Sequence, residues 1–483
     1  MNKIKSLAGQ TAVYGISSIL GRLINYALVP IHTRIFTNPA QFGVVTEMYT
    51  YVSFLIIVLM YGMETAFFRY NELEKDKNNV FNTVIVSITS TSILFIALTS
   101  IFSQSIAELI QYPNNNEYVI FFAIIVGLDA ITSIAFARLR ANNKPKKFAL
   151  IKIFNIIIFV ALNVLFYYDF SDVFAFKWIY NKSVGYVFIA NMISSIFTLI
   201  VLLPEYKSVK FNIDWPLLKK MLIYALPLLI FGLAGSVNET LDRLLLKYIL
   251  PEDISMRELG IYGACYKISI FMTIFIQAFR YAAEPFFFSQ AKEKNSSQIY
   301  ADVMKYFIII CTLIFLSIMM YIDIVMKFVG ENYRIGKEVV PILLIANMFL
   351  GVIYNLSIWY KLTNKTMYGA YIAILGALIT IVLNILWIPI YGYVGSAWAT
   401  LFCYASMMII SYIIGQKYYP VNYNLKSILF YIITSFAIYL LSTYLNFGND
   451  AIKYSINTSL IILFLFLIIK IEKINVKQYL KRI

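Results

Sequence analysis

Two arginines lie inside apolar stretches that are long enough to cross a bilayer. Arg22 lies in the stretch from Gly9 to Phe36, and Arg280 lies in a later one, at 260–288. A charge at mid-membrane costs about 2.5–3.5 kcal/mol on insertion scales, so each side chain should face protein or a wet cavity. Arginine suits phosphate groups because its planar fork donates two parallel hydrogen bonds and stays protonated. The pair therefore predicts a site that holds an anionic substrate group.

Polar side chains accompany both arginines at helical spacing, which places them on one helix face. The first stretch carries Gln10, Tyr14, Ser18, Arg22 and Asn25. The second carries Tyr262, Tyr266, Ser269, Thr273, Gln277, Arg280 and Glu284. We expect both faces to line a cavity. The alternative for Arg280 is an intramembrane ion pair with Glu284, four residues further on.

Three further cations are candidates for the same cavity: Arg69, Arg138 and Lys267. Arg69 and Arg138 stand at the ends of their apolar stretches, so anchoring at the cytoplasmic membrane surface explains them equally well. Lys267 lies beside the polar stripe rather than on it.

Acidic residues in the apolar stretches could carry protons or bind sodium, as intramembrane carboxylates often do. The candidates for this coupling role are Glu47, Glu64 and Asp129. Equally, these acids could only balance the arginines. Asp242 and Arg243, at the end of another stretch, suggest a structural pair or a gate.

Catalytic and metal-binding motifs are absent from the sequence, which has no Walker loop, GxSxG, HExxH or Rossmann glycine pattern. His32 is the only histidine, and the three cysteines, Cys265, Cys311 and Cys403, have no CxxC spacing. We therefore predict a protein that is not an enzyme, with no metal and no cofactor, and with H⁺ or Na⁺ as the coupling ion if there is one.

The composition predicts an all-α polytopic membrane protein. The 483 residues are 60% hydrophobic and 13% charged, whereas soluble domains have about 25% charged residues. Apolar runs of about 20 residues recur along the whole chain. They predict about 14 transmembrane helices: 9–36, 43–68, 80–103, 117–138, 148–168, 183–203, 217–247, 260–288, 300–326, 338–360, 367–388, 392–415, 426–446 and 452–470.

Loop charge predicts the orientation of these spans. The termini and even-numbered loops hold 27 of the 40 lysines and arginines, and the odd-numbered loops hold 8. The positive-inside rule then places both termini in the cytoplasm. Topology and anionic membrane lipids account for the net charge of +15, so no nucleic-acid partner is expected.

A faint internal repeat predicts two lobes. Gln-Phe-Gly at 41–43 and Glu-Leu-Gly at 258–260 each open a span, and they are 217 residues apart. Two six-helix halves in the same orientation would suit a transporter built from parallel repeats. We predict an N-terminal lobe at 1–210 and a C-terminal lobe at 211–420 around a central cavity, followed by an additional helix pair at 421–483.

Several segments resemble the bacterial polysaccharide (O-antigen, Wzx-like) flippases of the multidrug/oligosaccharidyl-lipid/polysaccharide exporter superfamily. They are PIHTRIFTNPAQFG at 30–43, GMETAFFRY at 62–70, YALPLLIFGLAGSVNETLDRLLL at 224–246 and IYGACYKISIFMTIFIQAFRYAAEPFF at 261–287. The resemblance implies that the chain flips an undecaprenyl-pyrophosphate-linked oligosaccharide across the bacterial inner membrane, for O-antigen or capsule. It also implies a polysaccharide polymerase and glycosyltransferases as partners. Arg22 and Arg280 match the cavity cations that meet the pyrophosphate in this family.

Three other functions stay open at this point. A multidrug exporter of the same fold would favour an acidic cavity for cationic drugs. A membrane glycan polymerase or ligase would carry a large outer loop, and the longest loops here have only about 15 residues. A structural scaffold would not explain polar stripes on five spans.

Overall fold

The chain is described by a computed structural model covering residues 26–167, 184–210, 212–291, 293, 295–445 and 449–473. Arg22 and Asn25 lie outside the described residues. Within them the regular structure is helical, with no strand. The helices are α1 (Val29–Ile35), α2 (Pro39–Met60), α3 (Met63–Leu73), α4 (Lys77–Ile101), α5 (Ser103–Leu109), α6 (Asn116–Ala141), α7 (Pro145–Tyr167), α8 (Gly185–Tyr206), α9 (Trp215–Ile249), α10 (Glu252–Ile268), α11 (Ile270–Gln290), α12 (Ser296–Met320), α13 (Ile322–Val325), α14 (Val339–Leu356), α15 (Ile358–Leu362), α16 (Met367–Tyr418), α17 (Leu425–Tyr444) and α18 (Asp450–Ile471). Two 3₁₀ helices, Met326–Phe328 and Glu331–Glu338, precede α14.

Eleven helical segments of the described chain are long and apolar enough to cross a membrane, or twelve if α10 and α11 form one broken span. This confirms the predicted all-α polytopic fold. The number fourteen stays a prediction, since the first predicted span, 9–36, lies mostly outside the described residues.

The longest helix covers two predicted spans. At 1.5 Å per residue, a straight helix of 52 residues would extend about 78 Å, far beyond the ~30 Å of a hydrocarbon core. Gly392 interrupts α16 with φ 56° and ψ −138°, a backbone conformation that favours glycine. The Glu258 carboxylate accepts the N–H of Tyr393 beside this break, at 3.5 Å. The spans at 367–388 and 392–415 are thus joined by a tight kink.

Another predicted span, 43–68, is broken near its C-terminal end. Tyr61 and Gly62 both have positive φ, and they separate α2 from α3. A Cβ on Gly62 would lie 2.6 Å from the carbonyl oxygen of Ala225, so glycine also permits close packing against α9. Glu64 and Arg69 follow this break, in α3.

Contacts divide the chain into two compact units. The first unit contains the described residues up to Lys267, together with Val329–Ile335 and Ala370–Cys403. Its central helix is α6, which is largely buried and packs against α4 and α8. The predicted lobes at 1–210 and 211–420 stay a prediction.

Three loops of the first unit meet at one end of it. The Asn79 amide donates to Asp214 at 2.8 Å, which joins the first turn of α4 to the loop before α9. Arg138, at the end of α6, donates to the carbonyl oxygen of Glu205 at 2.6 Å and to Ser208 at 3.0 Å. The basic loops at 69–77, 138–152 and 207–220 therefore lie at the same end.

The two repeat-related segments also meet within the first unit. A Cβ on Gly260 would lie 1.8 Å from the carbonyl oxygen of Pro39 and 3.0 Å from the Gly43 nitrogen. A Cβ on Gly43 would lie 2.2 Å from the Met256 carbonyl oxygen. The glycines 217 residues apart thus let α2 and α10 cross in backbone contact.

The second unit contains Ile268–Phe328, Gly336–Gly369 and the described chain from Tyr404 onward. Its helix α12 packs against α11, α14, α17 and α18. Lys305 bonds Glu472 at 2.6 Å, and Lys453 bonds Asp323 at 2.6 Å, so ion pairs tie both ends of the last helix to this unit. Cys265, Cys311 and Cys403 are free and buried.

Candidate functional site

A small open cleft of about 20 Å³ lies in the second unit, between α11 and the α14–α15 segment. Its charged residues are Arg280, Glu284 and Lys361. Aromatic and small residues complete the lining: Phe279, Ala283, Phe287, Tyr354, Ser357 and Ile358. With two cations and one carboxylate, the cleft carries a net positive charge.

Arg280 has no carboxylate within 4 Å among the described residues. Its side chain is exposed, and its Cζ lies 4.9 Å from the centroid of the Tyr354 ring. The alternative pairing of Arg280 with Glu284 is not found, because Glu284 Oε1 bonds Lys361 Nζ at 2.8 Å. An aromatic ring therefore orients the guanidinium while its hydrogen-bond donors keep their capacity for an anion.

Lys361 is a site residue that sequence reasoning missed. Its position just after the predicted span at 338–360 suggests a loop residue. In the structure, Lys361 lies in α15 and lines the cleft. Its side chain is 29% exposed and that of Glu284 is 40% exposed. Ion pairs with this access to solvent contribute about 0–1 kcal/mol. The Glu284–Lys361 pair is thus one that can be broken at low cost.

A second Lys–Glu pair lies deep inside the first unit. Lys247 Nζ, in α9, bonds Glu47 Oε1, in α2, at 2.7 Å, and the two side chains are 3% and 0% exposed. The Tyr112 hydroxyl donates to the other Glu47 oxygen at 2.5 Å, and Lys247 also donates to the carbonyl oxygen of Ile110 at 2.5 Å. Glu47 is therefore fully occupied as a structural acceptor.

The other two candidate acids, Glu64 and Asp129, also have cationic neighbours. Glu64 in α3 forms an ion pair with Arg140 in α6. Asp129 accepts a hydrogen bond from Ser195 at 2.9 Å and interacts electrostatically with Lys152. Sequence reasoning named neither Arg140 nor Lys152. We define Glu64, Asp129, Arg140 and Lys152 as the balanced cluster, since its formal charges sum to zero.

Arg69 and Arg138 make contacts that hold neighbouring elements together. Arg69 Cζ lies 4.2 Å from the ring centroid of Tyr224, and Arg138 lies 4.1 Å from that of Phe81. Arg138 additionally donates to the Glu205 carbonyl. These bonds favour the anchoring explanation for Arg138, whereas Arg69 is exposed on one side.

Asp242 and Arg243 meet the start of the predicted polar stripe. The Tyr262 hydroxyl donates to Asp242 at 2.6 Å, and Arg243 Cζ lies 4.4 Å from the Tyr266 ring centroid. Asp242 is buried, whereas Lys267 is exposed. The stripe therefore begins as packing between α9 and α10, and its later residues, Arg280 and Glu284, line the cleft of the second unit.

Long apolar helices, with a buried Lys–Glu pair between two of them, define the class of this protein as a polytopic membrane protein. The solved structure of the lipid II flippase MurJ in an inward closed conformation aligns with TM-score 0.73 and 13% identity, over 95% of this chain and 98% of that one. A multidrug resistance MATE family transporter of the MOP superfamily aligns in its inward-facing conformation with TM-score 0.63 and 14% identity, over 82% and 93%. A multidrug resistance MATE family transporter in an outward-facing conformation aligns with TM-score 0.58 and 13% identity, over 85% of this chain and 95% of that one. At these identities the likeness establishes the fold.

The family is established by sequence. The family model for polysaccharide biosynthesis protein matches residues 7–289, which is more than half of the chain, so the chain belongs to that family. A comparison of this chain with curated protein sequences finds no match. The family match confirms the predicted relation to polysaccharide biosynthesis, and the solved structures share the fold.

Proposed function

We propose that the protein is a flippase that moves an undecaprenyl-pyrophosphate-linked oligosaccharide across the bacterial inner membrane for assembly of a surface polysaccharide, O-antigen or capsule. The observation that carries the proposal is Arg280, which lines a cleft of net positive charge without a carboxylate partner among the described residues. A guanidinium in that state is suited to bind the pyrophosphate of the lipid-linked glycan.

The mechanism is alternating access. Carrying pyrophosphate and sugar hydroxyls bare through hydrocarbon would be prohibitive, so the headgroup crosses inside the protein while the polyprenyl tail stays in lipid. In this proposal the lobes at 1–210 and 211–420 enclose the cavity, and the helix pair at 421–483 is added to them. Arg22 supplies the second arginine.

The orientation in this proposal places both termini in the cytoplasm. The loops at 69–77, 138–152 and 207–220 support it, since they are rich in lysine and arginine and gather at one end of the first unit. Anionic lipids would stabilise that end. A polysaccharide polymerase would receive the flipped glycan, and glycosyltransferases would supply it.

Coupling to H⁺ or Na⁺ would use an intramembrane carboxylate. Asp129 is the best candidate, because its direct hydrogen-bond donor is a neutral serine. Glu64 is held by Arg140, and Glu47 is held by Lys247 in a dry pocket. A carboxylate that must exchange its cation is poorly served by a buried permanent partner, which argues against Glu47. Glu64 comes second to Asp129, because its pair with Arg140 is partly exposed.

Complementation of a deletion strain tests the flippase. The strain should accumulate the lipid-linked glycan in its inner leaflet and lose surface polysaccharide. Arg22→Ala and Arg280→Ala should each fail to restore display while the protein stays at normal abundance in the membrane. Arg257→Ala removes an exposed arginine outside the cleft and is the matched control. Full glycan display by the two cavity variants would refute the anion site.

A multidrug exporter is the second candidate, because MATE transporters share the fold and the balanced cluster supplies carboxylates for a cationic drug. It predicts that the deletion strain becomes sensitive to ethidium and that Asp129→Asn reproduces that sensitivity. We expect unchanged ethidium resistance in both strains, measured as growth inhibition.

A further inference from the structure

We infer that Glu284 is an exchangeable counter-ion, which occupies Lys361 in the empty protein and gives it up to a phosphoryl group of the substrate. Lys361 then acts with Arg280 as a second cation for a disubstituted diphosphate. The inference rests on the proposed function and assigns a new binding residue within it.

The geometry sets the two cations and one anion around the same cleft. Glu284 follows Arg280 by four residues on α11, so both side chains project from one face of that helix. Lys361 reaches Glu284 from α15 at 2.8 Å, while Arg280 rests on Tyr354. The carboxylate therefore neutralises one of the two cations and leaves the other open.

The ligand of the proposed function has two negative charges to be paired. A diphosphate esterified at both ends carries one negative charge on each phosphoryl group. In the empty cleft, only Arg280 is available to such a dianion. If one phosphoryl group replaces Glu284 on Lys361, each phosphoryl group gains its own charge-assisted partner. Phosphate oxygens would then occupy the place that Oε1 of Glu284 holds.

Solvent access makes this exchange feasible. Both members of the pair are partly exposed, so a displaced carboxylate can be hydrated rather than stranded in an apolar core. The groups around it from the facing segment are Tyr354 and Ser357, which line the cleft, and Tyr360, which interacts electrostatically with both Arg280 and Glu284. Among the described residues, no second carboxylate lines the cleft to replace Glu284 on Lys361.

The exchange would also suit a transport cycle. Without substrate, Glu284 keeps Lys361 from being an unpaired charge while the protein returns to its starting state. When substrate is bound, Lys361 pairs with a phosphoryl group of the headgroup instead. Glu284 would thus favour release of the headgroup as well as permit its binding, because it competes for the same ammonium group.

Binding measurements on the purified full-length protein in lipid nanodiscs test this. The probe is geranyl-pyrophosphoryl-N-acetylglucosamine, a short-chain diphosphate esterified at both ends, titrated calorimetrically. Glu284→Gln removes the competing charge and should tighten binding by up to about fivefold, whereas Lys361→Met should weaken it by a similar factor. Lys361→Arg keeps the cation and should bind close to wild type.

The double variant Glu284→Gln/Lys361→Met gives the decisive comparison. If Glu284 acts by competing for Lys361, its removal should have no effect once Lys361 is gone. Tightening that persists in the double variant, or its absence in Glu284→Gln, would overturn the exchange. Glu284→Ala should tighten binding like Glu284→Gln, so a poorly folded glutamine variant has a substitute, and thermal unfolding of each variant checks its fold.

Failure of the proposed function has a separate signature. If the wild-type protein does not bind the probe, the flippase proposal fails and the exchange fails with it. If the wild type binds and Arg280→Gln abolishes binding while Glu284→Gln changes nothing, the anion site stands and the exchange alone is refuted.

Discussion

Two Lys–Glu pairs in this protein have nearly the same geometry and opposite surroundings. The nitrogen–oxygen distance is 2.7 Å for Lys247–Glu47 and 2.8 Å for Lys361–Glu284. The first pair is buried and shares its atoms with Tyr112 and the Ile110 carbonyl. The second pair lines an open cleft next to an arginine that has no carboxylate partner among the described residues. Burial rather than bond length therefore separates a structural tie from a site that can exchange partners.

Burial changes the energetic cost of breaking a Lys–Glu pair severalfold. Removing one partner of a buried pair leaves an uncompensated charge and costs about 3–5 kcal/mol. An exposed pair contributes about 0–1 kcal/mol, because water solvates both ions when they part. The same substitution in the two pairs is therefore the most direct test of the comparison.

The largest expected effect is that of Lys247→Met, which strands the Glu47 carboxylate. We expect the free energy of unfolding to fall by roughly 3–5 kcal/mol, measured by thermal or denaturant unfolding of the purified protein. Lys361→Met, the matched control, should change it by about 1 kcal/mol or less. Replacing both partners, as Glu47→Gln/Lys247→Met, should recover part of the loss. If Lys247→Met and Lys361→Met lower the free energy of unfolding equally, burial does not distinguish the two pairs.

A middle-sized effect should come from the packing that keeps the buried pair dry. Gly43 begins the turn of α2 that leads to Glu47, and Gly260 touches it. Gly260→Ala places a methyl group 1.8 Å from the Pro39 carbonyl oxygen, so the helices must separate. Overpacking of this kind costs about 1–3 kcal/mol, again read from unfolding.

Gly235→Ala is the control, because a Cβ there has no atom within 4 Å and alanine favours a helix over glycine. It should leave stability unchanged or raise it slightly. Similar destabilisation by both substitutions would show that close crossing of α2 and α10 is not what Gly260 provides.

The smallest effect concerns a half-buried carboxylate at a helix start. Asp214 accepts the N–H of Leu217 at 3.0 Å and the Asn79 amide at 2.8 Å, and these bonds lower its pKa. Because the pKa is lower in the folded state, the stabilisation is present above the unfolded pKa of about 3.9 and is lost as pH falls through the folded value.

Asp214→Asn keeps a capping side chain but removes the titration. The melting temperature of the wild type should fall more than that of the variant between about pH 5 and pH 3. If the melting temperatures of the wild type and Asp214→Asn fall in parallel with pH, the ionised carboxylate does not have this role.

Much of the fold was predictable, because a long apolar run has few ways to satisfy its backbone in lipid except as a helix. The interruptions within the helices were harder to predict. The interruption at Tyr61–Gly62 depends on positive φ angles and on contact with Ala225, which lies far along the chain. The kink at Gly392 involves Glu258 in the same way.

The candidate site was predictable only in part. Helical spacing placed Arg280 and Glu284 on one face, and both line the cleft of the second unit. Their place in a central cavity between two lobes stays a prediction. The partner of Glu284 was not predictable, because local spacing favours Arg280 and the tertiary fold supplies Lys361. Likewise, Lys247 and Glu47 are 200 residues apart, and no local pattern links them.

The three cysteines make the chain convenient to probe in living cells. Cys265, Cys311 and Cys403 each have 0% exposure, so maleimides dissolved in water have no native thiol to attack in the folded protein. A single new cysteine at Arg280 or Lys361 can therefore be labelled against a silent background. The wild-type sequence can serve directly as the parent for a complete accessibility map of the transport path.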